Sequence, residues 1–468
     1  MKKGILASYY HGIANSTKGE SYISILGYFF PEFISAFILH SAIFLIDASF
    51  IACLESTSMI ATFGVTKSFI HFITKLAEGL SVGSSIICGQ YNGAKDYKNA
   101  GETVSETFWL SILLGFAISS FLFLGAYWIY YFYGVPEKMI DLGIPFLRLR
   151  AIAIFFSFIY FSFLSFLRAI KNTRTPMNIY LFGAVVFVFF DYALIFGKFG
   201  FPALGFQGSA LASVIQYGTM LVIGFVVVFC NKHYRKYTIS LIPKVKLSNV
   251  KKILVMSWPV ILDKSILAIT YIWLGMMLTH MGKYVIASYT VITDMERFAF
   301  LPAIALAQVI TFLASNDFGA KKFEDITVNI KKSLLLASIF VLIILIALSI
   351  FPQIFISLFD RKGAFTELAS YIFPIISTLI FLDVLQITLS GALRGVGQVR
   401  LVMWTRLIVC FGIFFPISYF LSHLAIKSDA LKFILIYGTF YLCNGIMSAI
   451  YIHRFRSGSW KREQTKSE

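Results

Sequence analysis

Twelve apolar runs of membrane-spanning length recur along this chain, at about residues 25–52, 58–88, 104–132, 145–167, 178–197, 207–230, 253–279, 284–313, 333–358, 367–391, 401–424 and 430–453. Each meets the ~20 residues an α-helix needs to cross a ~30 Å hydrocarbon core. In lipid every backbone N–H and C=O must find its partner inside the segment, which leaves helices as the solution for runs of this length. The pattern predicts an all-α polytopic membrane protein of about twelve transmembrane helices. Composition agrees: 58% of the 468 residues are hydrophobic and only 13% charged, more apolar surface than a soluble chain of this size can bury.

The formal charge of +17 raises the question of nucleic acid. Its placement answers otherwise. Of the 40 Lys and Arg, only seven (Lys138, Lys198, Lys283, Arg361, Lys362, Lys427, Lys432) fall in the loops of one side, and most of the rest fall on the other. Cytoplasmic loops carry the Lys/Arg excess, so both termini are expected inside the inner membrane of the cell. No nucleic-acid partner is expected; membrane lipids and a small-molecule substrate are. The "NST" sequon at 15–17 then lies on the cytoplasmic side. The N-terminus lacks a signal-peptide cleavage site, so the first segment is expected to be kept. Cys53, Cys88, Cys230, Cys410 and Cys443 show no CxxC spacing and read as free thiols, with no metal site.

The chain also repeats itself. "GAK" at 93–95 returns at 319–321, and "SFLRAIKNTRTPM" at 165–177 aligns with "GALRGVGQVRLVM" at 391–403. Arg168 and Arg394, Arg174 and Arg400, and Met177 and Met403 all keep one offset of 226 residues. Six helices per half make both halves enter the membrane in the same direction, related by an axis along its normal. The predicted organisation is an N-terminal six-helix lobe (1–230), a basic cytoplasmic linker (231–252), a C-terminal six-helix lobe (253–453) and a cytoplasmic tail (454–468). The repeated arginines fall at the inner ends of the fourth helix of each half. There they reach water, headgroups or helix-terminal carbonyls, either as topological anchors or as parts of the coupling between lobe movements.

Charges inside the apolar runs are costly in lipid, so each needs a reason. Asp47 and Asp191 lie at similar depth in the first half, roughly 12 and 9 Å from the outer ends of their segments. Two such acids can share a proton or hold a sodium ion. Asp383 lies near mid-membrane, with Gln386 one turn on. Asp263 follows Pro259 by four residues, and a static pair with Lys264 or Arg297 is its plainer reading. Lys67, His71, Lys75 and Glu78 form one stripe on the second segment, suited to ion pairing with Asp47 and its neighbours or to a cavity tuned for anions. The 226 offset maps His71 onto Arg297, beside Asp294 and Glu296. His71 can also titrate near physiological pH.

"ICGQYNGAKDY", "LRAIKNTRTPM", "FFDYALIFGKFGFPALGFQGSALAS" and "FLDVLQITLSGALRGVGQ" together resemble the multidrug and toxic compound extrusion (MATE) transporters, over nearly the whole chain. The resemblance implies two pseudo-symmetric six-helix lobes in a V around a central cavity, and antiport of substrate against protons or sodium ions. It implies no cofactor beyond that coupling ion (a monomer is expected), and neither a GxxxxGK[ST] loop nor HExxH is present. Asp47 and Asp191 match the acids the family uses in its N-terminal lobe, and Asp383 the acid on its tenth helix. The Asn that often precedes the fifth-helix acid is Phe187 here, which tilts the coupling ion toward the proton. The seventh-helix Glu of many relatives is replaced by Leu267, so its role does not pass directly to Asp263. The expected function is export of amphipathic, cationic organic compounds; an organic-anion exporter using Lys67, His71 and Arg297, or a lipid-linked precursor flippase, are the alternatives. No enzymatic activity is expected.

Overall fold

Long apolar runs fold here as the bilayer demands, and no strand forms among the described residues. The computed structural model describes Ile13 and residues 18–54, 56–240, 247–357, 360 and 363–461. The extreme N-terminal tail, the middle of the basic linker and the end of the C-terminal tail lie outside the described residues. The first span comprises α1 (Tyr22–Phe37), a π-turn (Ile38–Ala42) and α2 (Ile43–Ala52). The other spans of the first half are α3 (Thr57–Gly93), α4 (Tyr97–Leu124) with the short α5 (Ala126–Phe132), α6 (Glu137–Ala169), α7 (Arg174–Phe196) and α8 (Phe206–Cys230). The second half follows as α9 (Leu247–Thr279), α10 (Lys283–Gly319), α11 (Phe323–Ile350) with α12 (Pro352–Ser357), and α13 (Thr366–Gly395). Its last two spans are α14 (Val399–Val409), joined by the π-turn Cys410–Phe414 to α15 (Phe415–His423), and α16 (Asp429–Arg456). Ten of these spans are apolar and long enough to cross a membrane by themselves. The other two are the first span, which the π-turn breaks into pieces, and the 37-residue α3, which carries Lys67, His71, Lys75 and Glu78.

The duplicated sequence becomes duplicated backbone. At the end of α3, Lys95 takes the left-handed conformation (φ 62°) and the Asp96 N–H returns to Tyr91 O at 2.9 Å. At the end of α10, Lys321 (φ 59°) and the bond from Lys322 N to Asp317 O (2.8 Å) repeat that turn 226 positions on. The arginine-bearing stretches behave alike. Lys171 (φ 62°) and Gly397 (φ 84°) occupy equivalent left-handed positions, and their N–H groups bond the carbonyls of Arg168 (2.9 Å) and Arg394 (2.8 Å). These are Schellman-type ends that satisfy carbonyls no further helical turn reaches. One reason for writing the stretch twice is therefore backbone geometry. Gly397→Ala is expected to lower stability by about 1 kcal/mol, while Lys171→Gly raises it by a similar amount, as measured by thermal midpoint in detergent.

The chain divides into two compact units, Ile34–Ile261 and Met1–Phe33 with Leu262–Glu468. The first span and α9 are thus each shared between units, and each changes unit two residues after a helix-interior proline, Pro31 or Pro259. Proline removes one i→i−4 hydrogen bond and weakens the helix at that turn. In the N-terminal unit α6 is the central helix, packed on α3, α4 and α8. The beginning of α9 lies close against α3, where a Cβ on Gly83 would come within 2.8 Å of Ser257 Cα. In the C-terminal unit α10 and α13 are central, and Phe29 of α1 stacks on Phe340 of α11 at 4.9 Å.

The segment before α1 is pinned within that same unit. Gly19 N bonds Asp325 Oδ1 (3.0 Å), Glu20 N bonds Asn329 Oδ1 (2.8 Å), and Lys332 Nζ donates to the Glu20 carbonyl (2.8 Å).

Candidate ion-coupling sites

In the N-terminal unit, α2 presents Asp47 five residues before its end at Ala52, and α7 presents Asp191 five residues before its end at Phe196. Each acid therefore lies ~7.5 Å from the end of its helix, an equal depth that the extent of the apolar runs leaves a few ångströms apart. Asp47 is 4% exposed and Asp191 fully buried. A guanidinium from α6 meets them. Arg150 Nη2 lies 2.7 Å from Asp47 Oδ2 and 3.1 Å from Ser209 Oγ, while Nη1 donates to Ser213 Oγ. Ser209 Oγ donates in turn to Asp47 Oδ1 at 2.6 Å. Ser209 and Ser213 stand one turn apart on α8, so both hydroxyls face the same side. Beneath the guanidinium lies the Phe146 ring (5.2 Å), itself stacked on Phe206 at 4.1 Å.

Asp191 is held differently. Neither of its oxygens has a hydrogen-bond partner among the described residues, and its charged neighbours are Asp47 and Arg150. Phe187, one turn earlier on α7, is fully buried and supplies no oxygen.

The α3 stripe does not supply the partner of Asp47, contrary to one sequence expectation. Lys75 pairs with Glu78 on its own helix at 3.0 Å, the Lys67 ammonium lies over the Phe44 ring, and His71 is exposed. Arg150 reaches Asp47 instead because α6 brings it to the same level, where two serine hydroxyls also accept from its terminal nitrogens.

In the C-terminal unit Asp263 is the anchor. It is 2% exposed and accepts from Arg394 Nη2 on Oδ2 and from Arg406 Nε on Oδ1, each at 2.5 Å. The expected partners Lys264 and Arg297 are not the ones found. Arg297 pairs with Asp294 at 3.2 Å, three residues away on an exposed face of α10. Arg394 also departs from the expectation of water, headgroups or terminal carbonyls, since its side chain turns inward to Asp263 and is only 15% exposed. In the first repeat the positions equivalent to Asp263 and Arg406 are Phe37 and Tyr180, so the triad exists once although its scaffold exists twice.

Asp383 on α13 is half-buried and has Arg406 as its charged neighbour. Gln386, one turn on, is 2% exposed, beside Tyr451 of α16. A further acid, Glu296 of α10, is 3% exposed and accepts a hydrogen bond from Tyr437, among the rings of Tyr271, Tyr289 and Tyr441.

Arg150, Arg406 and Glu296 are the site residues that reasoning from the other acids passes over. The signal was present. "FLRLRAIAIFF", "VMWTRLIVC" and "DMERFAF" each put a charge inside an apolar run, and the default for such a charge is a paired or functional role whatever its sign. Arginines near run boundaries were instead absorbed into the topology count.

Two six-span repeats carrying buried acids, two of them paired with arginines, define a polytopic membrane protein. The MatE family matches residues 33–193 and 259–420, two stretches whose starts are again 226 positions apart, and the chain belongs to that family. It is a multi-pass membrane protein of the MATE transporter family. The probable multidrug resistance protein YoeA of Bacillus subtilis is 26% identical over 352 residues, covering 74% of this chain and 75% of YoeA. A probable multidrug resistance protein NorM of Bacillus cereus is 25% identical over 401 residues, covering 84% of this chain and 87% of its own. The crystal structure of the Vibrio cholerae MATE transporter VcmN in the bent form superposes with a TM-score of 0.84 at 16% identity, covering 94% of this chain and 98% of that one. That likeness confirms the all-helical fold expected from the sequence.

Proposed function

We propose that this chain is a secondary antiporter that exports amphipathic, cationic organic compounds from the cytoplasm in exchange for protons or sodium ions. It works in the inner membrane of the cell, with both termini inside. The carrying observation is Asp191: a buried carboxyl without a hydrogen-bond partner among the described residues, next to a second acid and a guanidinium. An isolated ionised carboxylate is costly to bury, so Asp191 gains most from a cation or a proton that comes and goes. Protonation from the outer side neutralises the N-terminal unit and favours release of a cationic substrate. Deprotonation toward the cytoplasm restores the attraction. Transport requires only that proton and substrate each bind the inward-open and outward-open states with different affinity. Both relatives described above are named multidrug resistance proteins, in keeping with organic-compound export.

The anion-export alternative draws less support from the geometry. Of Lys67, His71 and Arg297, on which it depends, Arg297 is already matched by Asp294.

The deciding measurement is ethidium efflux from reconstituted vesicles under separately imposed pH and sodium gradients. The wild type is expected to export against one of them. Asp47→Asn is expected to lose ΔpH-driven efflux while still reaching the membrane. Efflux in that variant equal to wild type would end the proposal.

A further inference from the structure

Both carboxylate oxygens of Asp47 already accept a hydrogen bond. Its Oδ2 takes Arg150 Nη2 at 2.7 Å and its Oδ1 takes the Ser209 hydroxyl at 2.6 Å. Ser213 Oγ accepts from Arg150 Nη1, and Ser209 Oγ also lies 3.1 Å from Nη2. A sodium ion would need such hard oxygen ligands for itself. A guanidinium, with five donors and a charge it keeps throughout the accessible pH range, satisfies them permanently.

Asp191 lacks any such arrangement. It is fully buried, and both of its oxygens lack a partner among the described residues. The charged groups acting on it are Asp47 from α2 and Arg150 from α6, while α8, the helix packed most extensively on α7, carries no charged side chain. Two carboxyl groups therefore face one guanidinium, and only one of them holds it. The one without it is neutral when it carries a proton, and no other described neighbour neutralises it.

We propose that Arg150 is a built-in counter-cation for Asp47, so that the N-terminal unit takes no sodium ion and Asp191 alone carries the exchanged proton. This rests on the antiport reading and assigns the work within its site. Arg150 is a positioning residue: its hydrogen bond goes to Asp47, and Asp191 feels its charge without being bonded to it. Remove Asp47, and the guanidinium turns to the other carboxyl it already acts on, Asp191, which it would then hold ionised. Remove Arg150 as well, and Asp191 is free to cycle its proton again.

That logic predicts a suppressor. In ethidium-loaded proteoliposomes carrying the full chain, Asp47→Asn is expected to reduce ΔpH-driven efflux at least about tenfold, and adding Arg150→Gln to recover about tenfold relative to Asp47→Asn alone. Arg150→Lys in the same background keeps the charge and is expected to give no recovery. Asp191→Asn is expected to lose proton-driven efflux with or without Arg150→Gln. A purely structural role for Arg150 predicts the opposite order, with the double variant no better than the worse single one. That result overturns the proposal, as does ΔpH-driven efflux surviving in Asp191→Asn. A wild-type rate raised more than about twofold by a sodium gradient alone overturns it too, since the site would then admit the metal ion. A wild type that moves ethidium under neither gradient removes the antiport reading, and this inference with it; a working wild type without suppression removes this inference only.

Discussion

Replacing Asp263 by alanine is expected to destabilise the C-terminal unit by about 3–5 kcal/mol, the largest effect of any single substitution considered for this chain. Asp263 is 2% exposed and is the acceptor for both the Arg394 and Arg406 guanidinia at 2.5 Å. Removing it leaves the buried Arg406 and the largely buried Arg394 facing one another without their shared counter-ion, with little water to compensate. Asp383 also neighbours Arg406, but it makes no hydrogen bond to either arginine. The expected readout is a large fall in thermal midpoint in detergent, or failure to accumulate in the membrane. The cause can be isolated with the triple variant Asp263→Leu, Arg394→Met, Arg406→Met, which replaces all three charges with apolar groups and should recover most of the loss. An Asp263→Ala protein within about 1 kcal/mol of wild type would show that the triad contributes little.

Gly391→Leu is expected to cost about 3 kcal/mol, at the upper end of what overpacking produces. Gly391 and Gly395 lie one turn apart on α13 and face α10. A Cβ on Gly391 would come to 2.6 Å from Ala307 O and 3.2 Å from Thr311 Oγ1, and Thr311 Oγ1 already donates to Gly391 O at 3.0 Å. The obstacle is backbone, so no rotamer change relieves it and the two helices must separate. Small residues four apart are how membrane helices approach closely without a hydrophobic driving force between them. The first repeat uses Ser165 and Ala169 at the equivalent positions, and Ser165 Oγ meets Ser84 of α3 at 3.4 Å. Gly27→Ala is the matched control. No atom lies within 4 Å of a Cβ there, so that substitution should raise stability by about 0.5–1 kcal/mol through helix propensity. A Gly391→Leu midpoint indistinguishable from wild type would exclude close helix contact as the reason for the glycine.

Between them, Gly391, Gly395, Arg394 and Gly397 explain the stretch "GALRGVG" almost residue by residue. The glycines admit α10, the arginine reaches Asp263, and the last glycine turns the chain in a left-handed conformation. Its counterpart "SFLRAIK" keeps the small-residue spacing and the turn but not the ion triad, because Phe37 stands where the second half has Asp263.

Twelve spans, the duplication at an offset of 226 and the acids Asp47, Asp191 and Asp383 within apolar runs all follow from the order of residues, because hydrophobic length and the cost of charge in lipid are local quantities along one helix. Which charges meet is not local. Arg150 lies 103 residues from Asp47, Arg394 lies 131 from Asp263 and Arg406 lies 143 from it, and only helix packing brings each pair within 2.7 Å. The same packing leaves Asp191 without a donor among the described residues and sets Glu296 against Tyr437, although nothing in their neighbouring residues distinguishes these acids from Asp263. Tertiary structure therefore decides which carboxyls are held by an arginine and which stand ready for an exchangeable ion, because Coulomb attraction and desolvation depend on distance and burial in space.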